Sequence, residues 1–446
     1  MKNILIIDDD LSCRRPAVEM LRRDGWTVFE AEDGESGLAL ACQHRPDVIL
    51  CDLLMPRSNG YQLIRAVRAQ PDLRAAKIVV MSGRDFAADR QSAEEVGVDG
   101  YLLKPIEFAT LRQVLADLET AGPPVPQGAE KSAAETLVEP VAVVSAAHTT
   151  RVKFWGVRGS IPTPGPSTVF FGGNTACVEL RVDGQLIILD AGSGIRPLGQ
   201  ALAAEYGERP LDITLLISHT HWDHIQGFPF FLPAYRAKNH VRILGYEGAM
   251  DGLASTLAGQ MESPYFPIAF KQMPGNIVIE ELKEMTFQLG PLRVEACFSN
   301  HPGVCVGYRI FSSSGSVVYL PDNECFNEQT ETVHGSSLPR TIEEKLAKFI
   351  AHADVLITDA QYTADEYRQH VGWGHGCVDD VVRFAIAGGV KRLYLFHHDP
   401  EHDDRTISSM LMHARELADA AGSSIRIEAA REGEQFTLTP RPVGAM

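Results

Sequence analysis

Along the first 120 residues, short apolar runs alternate with stretches in which apolar positions recur every three or four residues. Ile4–Ile7, Val48–Cys51 and Ile78–Met81 read as buried parallel strands, each followed by a loop and an amphipathic helical pattern. Weaker strands are expected at Thr27–Glu30 and Gly100–Leu103. Five such strand–helix units predict an α/β domain with a doubly wound, five-stranded parallel sheet over residues 1–120.

Residues 121–150 lose this periodicity and turn rich in Pro, Ala and small polar residues, as a linker does. Val141–Val144 is the one stretch in it that could dock as a strand. From Arg151 the pattern changes to β-runs separated by Gly-rich turns: Val152–Trp155, Ala176–Val182, Leu186–Leu189, Ile213–Ser218 and Arg392–Phe396. Helical patterns interleave at Glu343–Ala353 and Val378–Ala387. Residues 151–446 are therefore expected to form one further domain, an αβ/βα sandwich.

Composition changes this picture only at its edges. The 446 residues are 45% hydrophobic and 22% charged, and the opening MKNILIIDDD is too short an apolar run for a signal peptide or a membrane span. Eight cysteines stand singly with no C-x-x-C pair, which argues against a disulfide framework and fits a reducing cytoplasm. Net charge is −17, and both parts share it. Residues 1–120 hold 15 Lys and Arg against 20 Asp and Glu, and the remainder 26 against 38. That balance disfavours nucleic acid as a partner.

The chemistry sits where strands end. Asp8 and Asp9 follow the first strand, Asp52 the third, Ser82 the fourth and Lys104 the fifth. In an open parallel sheet these carboxyl ends line one crevice. Carboxylates gathered there suit magnesium, a hard cation, and a lysine and a hydroxyl suit phosphoryl oxygens. The segments IIDDD, CDLLMP, MSG and LLKP resemble the receiver domains of two-component systems, over the whole of residues 1–120 and with their flavodoxin-like fold. The resemblance implies that Asp52 is the phosphoacceptor, that Asp8 and Asp9 bind magnesium, and that Ser82 and Lys104 sense the phosphoryl group. It makes Tyr101 the aromatic that turns inward on activation, and a sensor histidine kinase the phosphodonor.

A second constellation, HTHWDH at 219–224, follows the apolar run Ile213–Ser218. Imidazoles and carboxylates at this density suit zinc, and also iron or manganese. His301 in SNHPG, Asp322 in YLPDNE and His397 in LYLFHHDP come after further apolar runs. Together these motifs resemble the metallo-β-lactamase superfamily. The resemblance implies two divalent metal ions, one held by His219, His221 and His301, the other by Asp223, His224 and His397, with Asp322 bridging. His397 is preferred to His398 because it is the first residue past its strand. Asp190 in LDAGSG reads either as a buried support for this site or as a turn cap.

TDAQY at 358–362 and GWGHG at 372–376 resemble the branch that holds ribonuclease Z and phosphoribosyl cyclic phosphodiesterases. There Asp359 and His375 match an acid and a histidine that assist proton transfer, although Gly376 stands where Ser or Thr is usual. Asp223, Asp359 and His375 are thus the catalytic candidates. Arg158 reads as a surface ion pair or a phosphate contact, and Phe228, Phe230, Phe231, Tyr235, Tyr265 and Phe266 as core or as a pocket wall. His370 and His402 belong to no pattern.

The expectation is a response regulator whose output is a phosphodiesterase for small, linear or cyclic nucleotide or sugar phosphates. Phosphorylation of Asp52 would shift a two-state receiver face, which could dimerise the chain or open a lid. A ribonuclease or other metallo-hydrolase, a di-iron gas or redox sensor, and a non-catalytic signalling output stay open beside it.

Overall fold

A computed structural model describes residues 2–53, 55, 60–83, 90, 93, 96–120, 149–246, 252–325 and 340–438. They form two compact units, one holding residues 2–120 and the other residues 149–325 and 341–438. The expected strand at Val141–Val144 lies outside the described residues. Among those residues no helix is long and apolar enough to cross a membrane.

The first unit contains β1 (Asn3–Ile7), β2 (Thr27–Ala31), β3 (Val48–Asp52), β4 (Lys77–Ser82) and β5 (Gly100–Leu103), all parallel in the order β2-β1-β3-β4-β5. The uninterrupted apolar character of β3, VILCD, follows from burial on both faces. Ile4, Ile6, Leu50, Val79 and Met81 pack against Ala17, Val18 and Leu21 of the helix Leu11–Arg23 and Leu111 and Leu115 of the helix Phe108–Thr120. Asp10 caps the first of these helices by accepting from the backbone N–H of Ser12. Register places Ile7 beside Cys51, Asp52 beside Met81 and Ser82 beside Leu103, so the carboxyl ends of the strands open on one edge.

The second unit has two seven-stranded sheets. Its strands are β6 (Thr150–Gly156), β7 (Cys177–Val182), β8 (Gln185–Leu189), β9 (Asp212–Ile217), β10 (His240–Gly245), β11 (Asn276–Glu281), β12 (Thr286–Leu289), β13 (Leu292–Phe298), β14 (Val306–Ser312), β15 (Gly315–Leu320), β16 (Val355–Asp359), β17 (Arg392–Phe396), β18 (Arg426–Ala429) and β19 (Gln435–Leu438). One sheet runs β11-β10-β9-β8-β7-β6-β19 and the other β12-β13-β14-β15-β16-β17-β18. Strand alternation decides which side chains meet which layer. Ile213, Leu215 and Ile217 of β9 turn out to the helix Ile195–Tyr206, meeting Leu198 and Leu202. Leu393 and Leu395 of β17 turn out to the helices Arg340–Ile350, Val378–Ala387 and Asp404–Ala420. The intervening Tyr394 and Phe396 face Phe154 of β6, with ring centroids 5.0 and 6.2 Å away. Tyr308 of β14 reaches across to donate to the Ile217 carbonyl at 2.6 Å. Helices outside and two sheets within make the αβ/βα sandwich.

Most expected strands shift by a residue or two at their ends, and two boundaries bear on the domain and its helices. β6 begins at Thr150, one residue before the expected start of the domain. The helix expected over Glu343–Ala353 spans Arg340–Ile350, because His352 takes φ +55° and its N–H turns to the carbonyl of Gly388.

Candidate metal centre and receiver site

In the first unit Lys104 Nζ lies 2.7 Å from both Asp8 Oδ2 and Asp52 Oδ2. Asp8, Asp9 and Asp52 each bring a carboxylate oxygen within 4.8 Å of the others. Asp8, Asp52, Ser82 and Lys104 are all buried. Burial first, then the neighbouring Asp52 charge, push the Asp8 carboxyl up to about 7 against the pull of Lys104. Tyr101 is half-buried, with the Arg90 guanidinium 4.6 Å from its ring centre.

In the second unit the loops after β8, β9, β13, β15 and β17 converge. His219, His221, His301 and Asp322 bring one donor atom each within 4.8 Å of one another, and so do Asp223, His224 and His397. The two groups meet at Asp322. Its Oδ2 lies 3.6 Å from His219 Nε2 and 3.7 Å from His301 Nε2. Its Oδ1 lies 3.2 Å from His224 Nε2 and 3.4 Å from His397 Nε2. Asp223 Oδ2 closes the second group, 3.2 Å from His224 Nε2 and 3.1 Å from His397 Nε2, and also accepts from the Ser160 N–H at 2.8 Å.

The ring orientations are set from behind. His224 Nδ1 donates to Asp190 at 2.8 Å, His301 Nδ1 to the Gly374 carbonyl at 2.8 Å, and His397 Nδ1 to Gln361 Oε1 at 3.1 Å. Each thereby turns its Nε2 toward Asp322, the arrangement that orients histidine ligands in metalloproteins. Asp190 is the hub of this support, taking the Ser218 N–H and hydroxyl at 2.7 Å each and the Tyr319 hydroxyl at 2.8 Å. Of its two readings, support of the site is therefore the one realised. Asp190 and His397 both hold left-handed backbone, at φ +60° and +57°. Side chains tolerate that conformation at a cost, and it gathers where function demands it.

The donor set fits divalent metal. His219 Nε2 and Asp322 Oδ1 are buried without a hydrogen-bond partner, which a polar atom tolerates poorly unless it has a cation to face. Burial holds His219 and His301 well below the ordinary imidazole range, in the neutral form that coordinates. Burial would raise Asp322, yet His397 and His224 beside it keep it well below the usual carboxylate range.

His375 Nδ1 stands 2.8 Å from Asp359 Oδ2 and 3.9 Å from Asp322 Oδ2, its ring stacked on His397 with centroids 5.0 Å apart. Burial alone would lower its pKa, but the Asp359 carboxylate beside it pushes it up to about 9. A Cβ at Gly376 would lie 2.5 Å from the Asp359 carbonyl oxygen, so this loop has no room for the usual Ser or Thr.

Other expectations resolve differently. His398 turns away and its Nε2 meets the Ala430 carbonyl at 2.9 Å. Arg158 makes neither a surface ion pair nor an open phosphate contact. It is fully buried and donates to the carbonyls of Gly172, Asp399 and His402, knitting three loops together. His402 bonds Glu366 at 2.9 Å and His370 stacks on Tyr362, so both have defined places. Phe228 and Phe231 are core, whereas Phe230 and Tyr265 are exposed. Gln361, Tyr319 and Glu324 also support the site, and the sequence reading assigns them no role although they stand inside TDAQY and YLPDNE.

The fold and both sites define a receiver followed by a metallo-β-lactamase-fold domain. Residues 4–116 match the family model of the response regulator receiver domain, and residues 185–398 that of the beta-lactamase superfamily domain. Protein PilH of Pseudomonas aeruginosa is 34% identical over 115 residues, which are 26% of this chain and 95% of PilH. The chain thus belongs to the response regulator family. It is 37% identical over 112 residues to the KDP operon transcriptional regulatory protein KdpE of Escherichia coli strain K12, which is 25% of this chain and only 48% of KdpE. Among solved structures, the metallo-beta-lactamase fold protein YhfI from Bacillus subtilis aligns with 17% identity and a TM-score of 0.46, covering 65% of this chain and all of YhfI.

Proposed function

We propose that the output domain is a two-metal phosphodiesterase for small phosphodiesters, controlled through phosphorylation of Asp52. The observation that carries this reading is the Asp359–His375 pair, a hydrogen-bonded acid and imidazole 3.9 Å from the carboxylate shared by both histidine groups. His219, His221 and His301 would hold one metal, Asp223, His224 and His397 the other, with Asp322 between them. Zinc fits best, and iron or manganese share the donor preference. Two divalent ions there would supply a water of lowered pKa and offset charge growing on a phosphoryl oxygen.

The protein's own part is geometry and proton transfer. Asp190, Gln361 and the Gly374 carbonyl hold the imidazoles in one tautomer. His375, its Nδ1 proton held toward Asp359, directs Nε2 as a general acid to the departing alkoxide, the step a phosphodiester most needs. In the receiver, Asp8 and Asp9 would bind magnesium beside Asp52, which a sensor histidine kinase would phosphorylate. Lys104 and Ser82 would then pair with the phosphoryl group.

The test is hydrolysis of a panel of linear and cyclic phosphodiesters by the zinc-loaded chain, with His221→Ala as control. Turnover lost in that variant supports the reading. A metal-bound chain that turns over none of the panel would overturn it.

A further inference from the structure

Glu324 is fully buried just past β15, two residues beyond Asp322. Its Oε1 accepts from the Tyr367 hydroxyl at 2.5 Å and the Gly372 N–H at 2.8 Å, and its Oε2 from the Gly374 N–H at 2.9 Å. Gly372 and Gly374 carry φ of +84° and +85°, and this left-handed backbone lets two N–H groups flanking Trp373 turn to a single carboxylate.

What the loop carries gives this contact its consequence. The Gly374 carbonyl takes the Nδ1 proton of His301, and a Cβ at Gly374 would lie 2.6 Å from that nitrogen. His375 is the next residue. The backbone on the other side is equally tied: the Glu324 N–H bonds the Asn300 carbonyl at 2.9 Å, and Asn300 Nδ2 bonds the Glu324 carbonyl at 2.9 Å. One buried residue, through its carboxylate and its backbone, thus joins the segments bearing Asp322, His301 and His375.

We propose that Glu324 is a positioning residue, which sets the His301 and His375 imidazoles relative to Asp322 through the Gly372–His375 loop wrapped around its carboxylate. The proposal rests on the reading of His301 as a metal ligand and His375 as the acid. A glutamine at this position keeps the volume but turns an NH₂ group against N–H donors that need an acceptor. The loop then shifts, and the Gly374 carbonyl no longer orients His301.

Zinc affinity of the full chain, measured by chelator competition, tests this in Glu324→Gln alongside kcat and KM for bis(p-nitrophenyl) phosphate. One zinc equivalent is expected to bind about 10–100-fold more weakly, as when a partner orienting a histidine ligand is lost, while the other keeps its affinity. The fall in turnover is expected in kcat rather than KM. Wild-type affinity for both equivalents in a folded Glu324→Gln chain overturns the proposal. Should that variant not fold, Tyr367→Phe removes one donor and keeps the carboxylate. About threefold weaker binding of the same equivalent then supports the proposal, and no change overturns it. A wild-type chain that binds two zinc ions but hydrolyses no phosphodiester sinks the proposed function while leaving this comparison decisive. A wild-type chain that binds no zinc overturns both.

Discussion

His375 Nδ1 stands 2.8 Å from Oδ2 of the buried Asp359, the last residue of β16, and is carried by the loop that leads on to the helix Val378–Ala387. The same Nδ1 lies 3.9 Å from Asp322 Oδ2, and the ring stacks on His397. On the proposed function, Asp359 would act through His375. His375→Ala should lower kcat for phosphodiesters about 10²–10⁴-fold, the range for a lost general acid. Asp359→Asn should fall short of that loss. Zinc content measured on the same samples should stay at the wild-type value; a loss of zinc in His375→Ala would instead make His375 a ligand, since it also lies within ligand reach of Asp322 and His397.

Asp322 presents one oxygen to each histidine group. Asp322→Asn keeps one oxygen acceptor and loses the charge that faces both groups. Bound zinc per chain, read by atomic absorption after dialysis, should drop from two to one or fewer. Retention of both ions would refute a bridging role.

Asp190 stands behind the imidazoles, where it holds His224 and Ser218 and receives the Tyr319 hydroxyl. Asp190→Asn should weaken zinc binding by about 10–100-fold. Chelator titration is the check.

The receiver carries a pH signature. Asp8 is raised from 3.8 to about 7, so the folded state binds more protons than the unfolded one between those values. This contribution to stability is fully present below pH 4 and is lost as pH rises through 7, when the carboxylate charges beside Asp52. Magnesium answers that charge. Thermal unfolding of residues 1–120 within the full chain should therefore show a larger stabilisation by magnesium at pH 8 than at pH 5.5. Equal shifts at the two pH values would count against Asp8 as a ligand.

Phosphoryl control is tested by acetyl phosphate or beryllofluoride added to the wild-type chain and to Asp52→Asn. Phosphodiester turnover should change in the first and not in the second. Identical rates throughout would separate the receiver from the hydrolase.

Sequence by itself determined the five strands of the first unit and, in the second, the strands β6, β7, β8, β9 and β17, because burial on both faces writes VILCD into β3 and RLYLF into β17 whatever surrounds them. It also marked the residues that cluster as candidate ligands, since HTHWDH, Asp322 and His397 each follow the carboxyl end of a strand. What only tertiary structure decided was direction and partnership. Adjacent His397 and His398 part ways because φ +57° at His397 sends its ring into the site while His398 turns to Ala430. Arg158 became a buried clamp because loops 241 and 244 residues distant offer it carbonyls, contacts that no local pattern records. Gln361 and Glu324 likewise act on side chains and loops brought near by the pairing of β15, β16 and β17, and Asp190 reaches Tyr319 across the packing of the two sheets. The donors a buried carboxylate must find are set by that packing, and no spacing along the chain encodes them.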